Sequence, residues 1–344
     1  MRSRRRTTSS PFIDVGRPAR RPRRRLRRPN WRGFVALFLL FMVTGGVAWL
    51  VLAGGGRDGG RVPVSMASTP PPLPALSPAP APDGPAPGAV SLEAEDAFRP
   101  QLKNPPRGGL VFDVGSGRVL WRRNERSPLP IASLTKIMTA LLVAERTDPA
   151  DRVRITKTAL FFEGQAVGNL PVGKKVPIEA LLHGALLTSG NDAALALAEH
   201  TSGSVASFVA LMNRRAEELG LTCTRFVSPH GLEPGNRSCP ADLAALSRLV
   251  LAKPRLARVV RKPQAMQRFP ITGGILYTTN TNPLLLSGYP GTVGLKTGYT
   301  QEAGRCFIAV VRRGGRTLAT VLLHSPDPSG QARRLFAQAF KMPG

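Results

Sequence analysis

Acidic side chains, cysteine and long apolar runs are all scarce in this chain of 344 residues. Asp and Glu number 21 against 48 Lys and Arg, a formal charge of +27. Three Cys are too few for a disulfide-stapled scaffold. The four His (His183, His200, His230, His324) show no zinc-ligand spacing. No fixed-period repeat occurs, which excludes a collagen-like or solenoid chain. A single long apolar run excludes a polytopic membrane protein, and 42% apolar residues exclude disorder throughout.

The positive charge is uneven. Residues 1–32 hold thirteen Arg and one acid, Asp14, for +12; residues 33–94 sum to −1, leaving +16 on residues 95–344. Between Gly33 and Gly56 no residue is charged, and a stretch of ~20 apolar residues matches a bilayer core. With the Arg-rich arm before it, positive-inside topology puts the N-terminus in the cytoplasm and the rest outside. The expectation is therefore a cytoplasmic arm (1–32), a single-pass signal anchor in the cytoplasmic membrane (33–56), a linker (57–94) and a periplasmic or extracytoplasmic domain (95–344). A cleaved signal peptide is the second reading, although its apolar region is usually only about 7–15 residues. The arm lacks the aromatic interleaving of a nucleic-acid tail, so no nucleic-acid partner is expected. From Pro63 to Pro87 ten of 25 residues are Pro, a stiff extended spacer.

The remainder reads as an α/β chain of α+β type. Gly109–Val114 and Arg118–Trp121 flank Gly115-Ser116-Gly117 as a hairpin, and 304–312 with 316–324 form another across Gly314-Gly315. Between them lie helical patterns at Ser133–Arg146, Ile178–Leu187 and Asp192–Leu219, the last broken at 201–204; a short helix from Ser329 to Phe340 closes the chain. Strands at both ends predict one antiparallel sheet with an inserted helical cluster.

Three motifs carry chemistry. Ser133-Leu134-Thr135-Lys136 opens the first helix, and i, i+3 spacing puts hydroxyl and amine on one face. A desolvated Lys has its proton affinity lowered and can take the Ser proton. Ser189-Gly190-Asn191 offers a second hydroxyl and an amide at a turn. Lys296-Thr297-Gly298 offers a cation, a hydroxyl and a residue without a side chain at a strand edge, which suits a carboxylate and the close approach of a substrate backbone. In this order, 56 and 163 residues from Ser133 to Ser189 and Lys296, they match the signature of penicillin-binding proteins and class A β-lactamases.

Longer stretches sharpen the match: ASLTKIMTALLVAE (132–145), LLTSGNDAALALAEH (186–200), FVSPHGLEPGN (226–236), NTNPLL (280–285) and GLKTGYTQEAGRC (294–306). Residues 100–325 thus resemble the low-molecular-mass penicillin-binding D-alanyl-D-alanine carboxypeptidases, serine peptidase family S11. The resemblance implies the serine penicillin-recognising, β-lactamase-like fold. It implies Ser133 as nucleophile and Lys136 as base, with Ser189 as proton relay and Asn191 orienting substrate and Lys136. Lys296, Thr297 and Gly298 would bind substrate, and the N–H groups of Ser133 and Tyr299 would form the oxyanion hole. The implied reaction removes the terminal D-alanine of a peptidoglycan stem peptide through an acyl-enzyme, with β-lactams as covalent inhibitors and with neither a metal nor an organic cofactor.

Many members carry a second domain and a C-terminal anchor, whereas 46 residues follow Gly298 here, which suggests a one-domain form anchored from its N-terminus. Some members have Arg at the position of Thr281, so a carboxylate contact is expected to be missing. Cys223 and Cys239 are unusual for the family; they either pair across the 226–236 loop, leaving Cys306 free, or stay separate buried thiols. Two activities rival the carboxypeptidase. A β-lactamase would need a deacylating Glu in an E-x-x-L-N segment, where Glu217-Glu218-Leu219-Gly220 reads instead as a helix end. A D,D-endopeptidase on cross-links would use the same motifs.

Overall fold

Strands at the two ends of the domain close a circle because they pair with one another. The computed structural model describes residues 88–343 other than 162, 163 and 169, all within the compact unit Pro78–Gly344. The expected arm, apolar span and most of the linker lie outside the described residues. Among the described residues no helix is long and apolar enough to cross a membrane.

In chain order, β1 (Gly108–Asp113) and β2 (Val119–Arg123) form the expected hairpin, and β3 (Leu129–Pro130) leads through a 3-10 turn (Ala132–Thr135) into α1 (Lys136–Arg146). β4 (Arg152–Arg154) pairs with β5 (Lys175–Pro177); α2 (Ile178–His183) then runs into a π-helical segment (Gly184–Thr188), α3 (Asn191–Ser202) and α4 (Val205–Glu218). β6 (Arg237–Ser238) returns to pair with β3, ahead of α5 (Pro240–Ala252) and α6 (Pro254–Val260). The hairpin of β7 (Gln264–Arg268) and β8 (Ile275–Thr279) is followed by α7 (Pro283–Leu286), β9 (Thr292–Thr300), β10 (Gly304–Arg313), β11 (Arg316–Leu323) and α8 (Pro328–Ala339).

The main sheet has the order β2-β1-β11-β10-β9, antiparallel throughout, so the N-terminal hairpin docks on the C-terminal one. Within β10, residues 306–311 are an unbroken apolar run because both faces of the strand are covered there. Cys306, Ile308 and Val310 point into the core shared with the helical cluster, whereas Phe307, Ala309 and Val311 pack under α8. β9 is an edge strand, the position expected for Lys296-Thr297-Gly298. The helix expected over Ser133–Arg146 is two segments: Ala132 adopts φ +48°, and the chain tightens into a 3-10 turn before the α-helix begins at Lys136. α4 ends at Glu218 with Gly220 at φ +64°, the helix end read from Glu217-Glu218-Leu219-Gly220.

Candidate active site

The nucleophile motif is built where β3 turns into α1. β3 is fixed by its ladder to β6, Ile131 N–H donates to the Asn236 carbonyl at 3.3 Å, and the left-handed Ala132 turns Ser133 out at the helix start. One turn on, Lys136 is fully buried. Its Nζ lies 2.9 Å from Ser133 Oγ, 2.8 Å from Asn191 Oδ1 and 2.9 Å from the His230 carbonyl oxygen. Two of these partners are pure acceptors. A neutral amine donates its two N–H to them and keeps its lone pair for the Ser133 hydroxyl. Burial first, and the Lys296 cation second, push the Lys136 pKa well below its ordinary value, against smaller pulls from Asp192 and Glu233.

The second motif lies opposite. The π-helical segment ends with Ser189 at φ +67°, which reverses the chain before Asn191 starts α3. π-helical segments often mark functional sites. The next residue, Asp192, holds the cleft wall: its carboxylate accepts from Val167 N–H at 2.8 Å and Gly168 N–H at 3.0 Å. Ser189 Oγ accepts from Lys296 Nζ at 2.9 Å, and the same ammonium reaches the Thr297 carbonyl at 2.9 Å. Lys296 is buried without a carboxylate partner among the described residues, and burial pulls its pKa down to about 7.

The third motif completes the cleft from β9. Thr297 and Thr281 share a hydroxyl hydrogen bond of 2.6 Å, so Thr281 supports Thr297 through a neutral group. Gly298 lies against the nucleophile turn, where a Cβ would sit 3.0 Å from Ser133 N and 3.1 Å from the Ile131 carbonyl oxygen. Only a residue without a side chain lets the strand lie this close. Tyr299 is 66% exposed at the rim. The resulting cleft of about 510 Å³ is lined by Ser133, Ser189, Asn191, Thr297, Gly298 and Tyr299, among others. Lys136 and Lys296 lie behind that lining and meet it through hydrogen bonds to Ser133 and Ser189.

Some contributors carry no local sequence signal. The His230 carbonyl acts through the backbone, which no residue pattern reports. Arg305, opposite Tyr299 on β10, also lines the cleft; its Nη1 donates to the Pro326 carbonyl at 2.9 Å. A guanidinium in that place adds a cation for a carboxylate-bearing ligand where Thr281 supplies none. The His230 ring is kept neutral, its pKa lowered to about 4 mainly by burial, with Glu233 3.3 Å from Nε2.

Of the two readings of Cys223 and Cys239 the structure adopts the disulfide, with the Cα atoms 5.6 Å apart, and Cys306 is a free buried thiol with its pKa pushed up to about 12. Among the described residues, Cys223, Cys239 and Asp242 bring metal-ligand types of atom within 4.8 Å of one another, but both sulfurs are committed to the disulfide.

The D-alanyl-D-alanine carboxypeptidase model of peptidase family S11 matches residues 105–327. DacF of Bacillus subtilis, a D-alanyl-D-alanine carboxypeptidase, is 34% identical over 234 residues, 66% of this chain and 59% of that one. A D-alanyl-D-alanine endopeptidase of Pseudomonas aeruginosa is 35% identical over 200 residues, 58% of this chain and 64% of that one. The chain thus spans less than two thirds of either relative's length. The crystal structure of the Streptomyces K15 DD-transpeptidase superposes with a TM-score of 0.66 at 30% identity, covering 70% of this chain and 99% of that one. With Ser133, Lys136, Ser189, Asn191 and Lys296 joined in one hydrogen-bonded cleft inside the matched segment, the chain belongs to the D-alanyl-D-alanine carboxypeptidase family, with the fold of the penicillin-binding DD-peptidases.

Proposed function

We propose that this protein is a membrane-anchored serine D,D-carboxypeptidase of the cell wall. The observation that carries the reading is the three-way contact of the buried Lys136 amine with Ser133 Oγ, Asn191 Oδ1 and the His230 carbonyl. Neutral Lys136 takes the Ser133 proton as Oγ attacks the carbonyl of the penultimate D-alanine. The Ser133 and Tyr299 N–H groups hold the oxyanion. Ser189, hydrogen-bonded to Lys296, passes a proton to the departing amine as the C–N bond breaks and D-alanine leaves. Lys296 and Thr297, with Arg305 nearby, hold the terminal carboxylate. Water activated by Lys136 then hydrolyses the Ser133 ester. β-Lactams acylate the same oxygen as mimics of the substrate terminus. Residues 33–56 anchor the chain with the N-terminus in the cytoplasm and the domain on the outer, periplasmic side, where its +16 charge favours carboxylate-rich wall polymer.

The test uses the purified chain in detergent with diacetyl-Lys-D-Ala-D-Ala and with fluorescent penicillin. Released D-alanine and a covalent adduct are expected, and Ser133→Ala should abolish both. An adduct that survives that substitution refutes the assignment. Cleavage of dimeric muropeptides without D-alanine release would favour the endopeptidase, the activity of the Pseudomonas relative.

A further inference from the structure

The disulfide joins the two ends of the segment that presents the His230 carbonyl to Lys136. Cross-links stack inward from it in register. Cys223 bonds Cys239; the Thr224 and Ser238 hydroxyls lie 2.8 Å apart; Arg225 and Arg237 exchange two backbone hydrogen bonds of 2.9 Å. Beyond this neck, Asn236 ties the segment to itself, accepting from Val227 N–H and donating to Ser228 Oγ and the Glu233 carbonyl. The tip bears directly on the nucleophile turn, because Gly231 at φ +86° is so close that a Cβ there would lie 2.0 Å from the Ala132 carbonyl oxygen. Both sides of the neck also grip the chain leading to Ser133: Cys223 Sγ contacts the Arg126 carbonyl at 3.3 Å, and β6 pairs with β3. Cys223 is only partly buried, so reductant can reach the bond.

We propose that the Cys223–Cys239 disulfide is a positioning element of the active site, holding the 224–238 segment so that the His230 carbonyl orients Lys136 toward Ser133. This rests on the acyl-enzyme reading above. The neck keeps its hydroxyl and backbone bonds when the disulfide opens, so the fold persists while the tip gains freedom. Full activity is thereby coupled to an oxidising compartment.

The experiment compares the full chain before and after treatment with a water-soluble phosphine, which with one water converts the disulfide to two thiols and becomes the phosphine oxide. Acylation by fluorescent penicillin is followed together with hydrogen exchange of residues 132–136 and 224–238. Reduction should slow the acylation step about tenfold, the scale of one buried hydrogen bond. The preceding binding constant should not change, because Lys296 and Thr297 lie on β9. Exchange should rise at the tip and at the nucleophile turn. A Cys223→Ser, Cys239→Ser double variant should match the reduced protein and ignore the phosphine. Equal acylation rates in the two states, within twofold, overturn the proposal. So does faster exchange confined to the neck, with the tip and turn unmoved. If neither redox state forms an adduct, the carboxypeptidase reading fails on its own, and the exchange pattern still decides whether the disulfide positions the tip.

Discussion

Replacing Lys296 by Met should make the protein more stable and inactive at once. Lys296 is buried and, among the described residues, has no carboxylate beside it; Ser189 Oγ and the Thr297 carbonyl are its partners. Burial lowers its pKa from 10.5 to about 7. At ~1.4 kcal/mol per pH unit of displacement, keeping this amine folded at pH 7 costs roughly 4–5 kcal/mol relative to an unperturbed lysine. Methionine fills similar volume without charge, but it leaves Ser189 and the Thr297 carbonyl short of a donor, at a cost of about 1–3 kcal/mol. The net gain is about 1–4 kcal/mol, or roughly 3–12 °C in Tm at about 3 °C per kcal/mol for a domain of this size. The sign with pH follows from proton uptake. The unfolded chain binds the proton up to about pH 10.4 whereas the folded chain releases it near 7, so wild-type stability rises across that window. The advantage of Lys296→Met is therefore largest at or below pH 7 and shrinks toward pH 10. Urea unfolding of both proteins at pH 6, 7, 8 and 9, with penicillin acylation measured alongside, tests this. A variant less stable than wild type at pH 7, or a gain that does not change with pH, would refute the reasoning.

Asn191→Asp places a carboxylate against the Lys136 amine and favours its protonated form. Acylation at neutral pH should drop ~10–100-fold and recover partly as pH rises, with the acid limb of the pH–rate profile moved upward. In the wild type, kcat/KM should decline above about pH 7 as Lys296 loses its charge. The corresponding limb of kcat should lie higher, since a bound carboxylate favours the ammonium. Gly298→Ala sets a Cβ 3.0 Å from Ser133 N and should slow acylation about tenfold with little change in Tm, because it displaces the nucleophile turn by only tenths of an ångström.

The residues that meet at the cleft were legible because each motif is local and its geometry is set by short spacing. Ser133 and Lys136 meet because i, i+3 positions share a helix face, and the burial of β10 and β11 on both faces follows from an apolar run flanked by turn residues. Legibility ended where tertiary contacts override local pattern. Nothing in Ile131-Ala132-Ser133 announces the left-handed Ala132 that cuts the helix into a 3-10 turn and α1. The β7–β8 hairpin has a weak signal, because its first strand, QAMQR, is mostly polar and only the Gly273-Gly274 turn marks it. Arg305 reads as one of many surface cations until β10 is placed beside β9. The choice between disulfide and separate thiols needed the 16-residue separation of Cys223 and Cys239 to fold into a neck with adjacent ends.

The central claim is that a buried neutral Lys136 makes Ser133 the acylated nucleophile. Peptide mapping by mass spectrometry after incubation with penicillin tests it most directly. The account predicts one adduct, on the peptide containing Ser133, absent from Ser133→Ala and strongly reduced in Lys136→Met. An adduct on any other residue, or full-rate acylation in Lys136→Met, would contradict it.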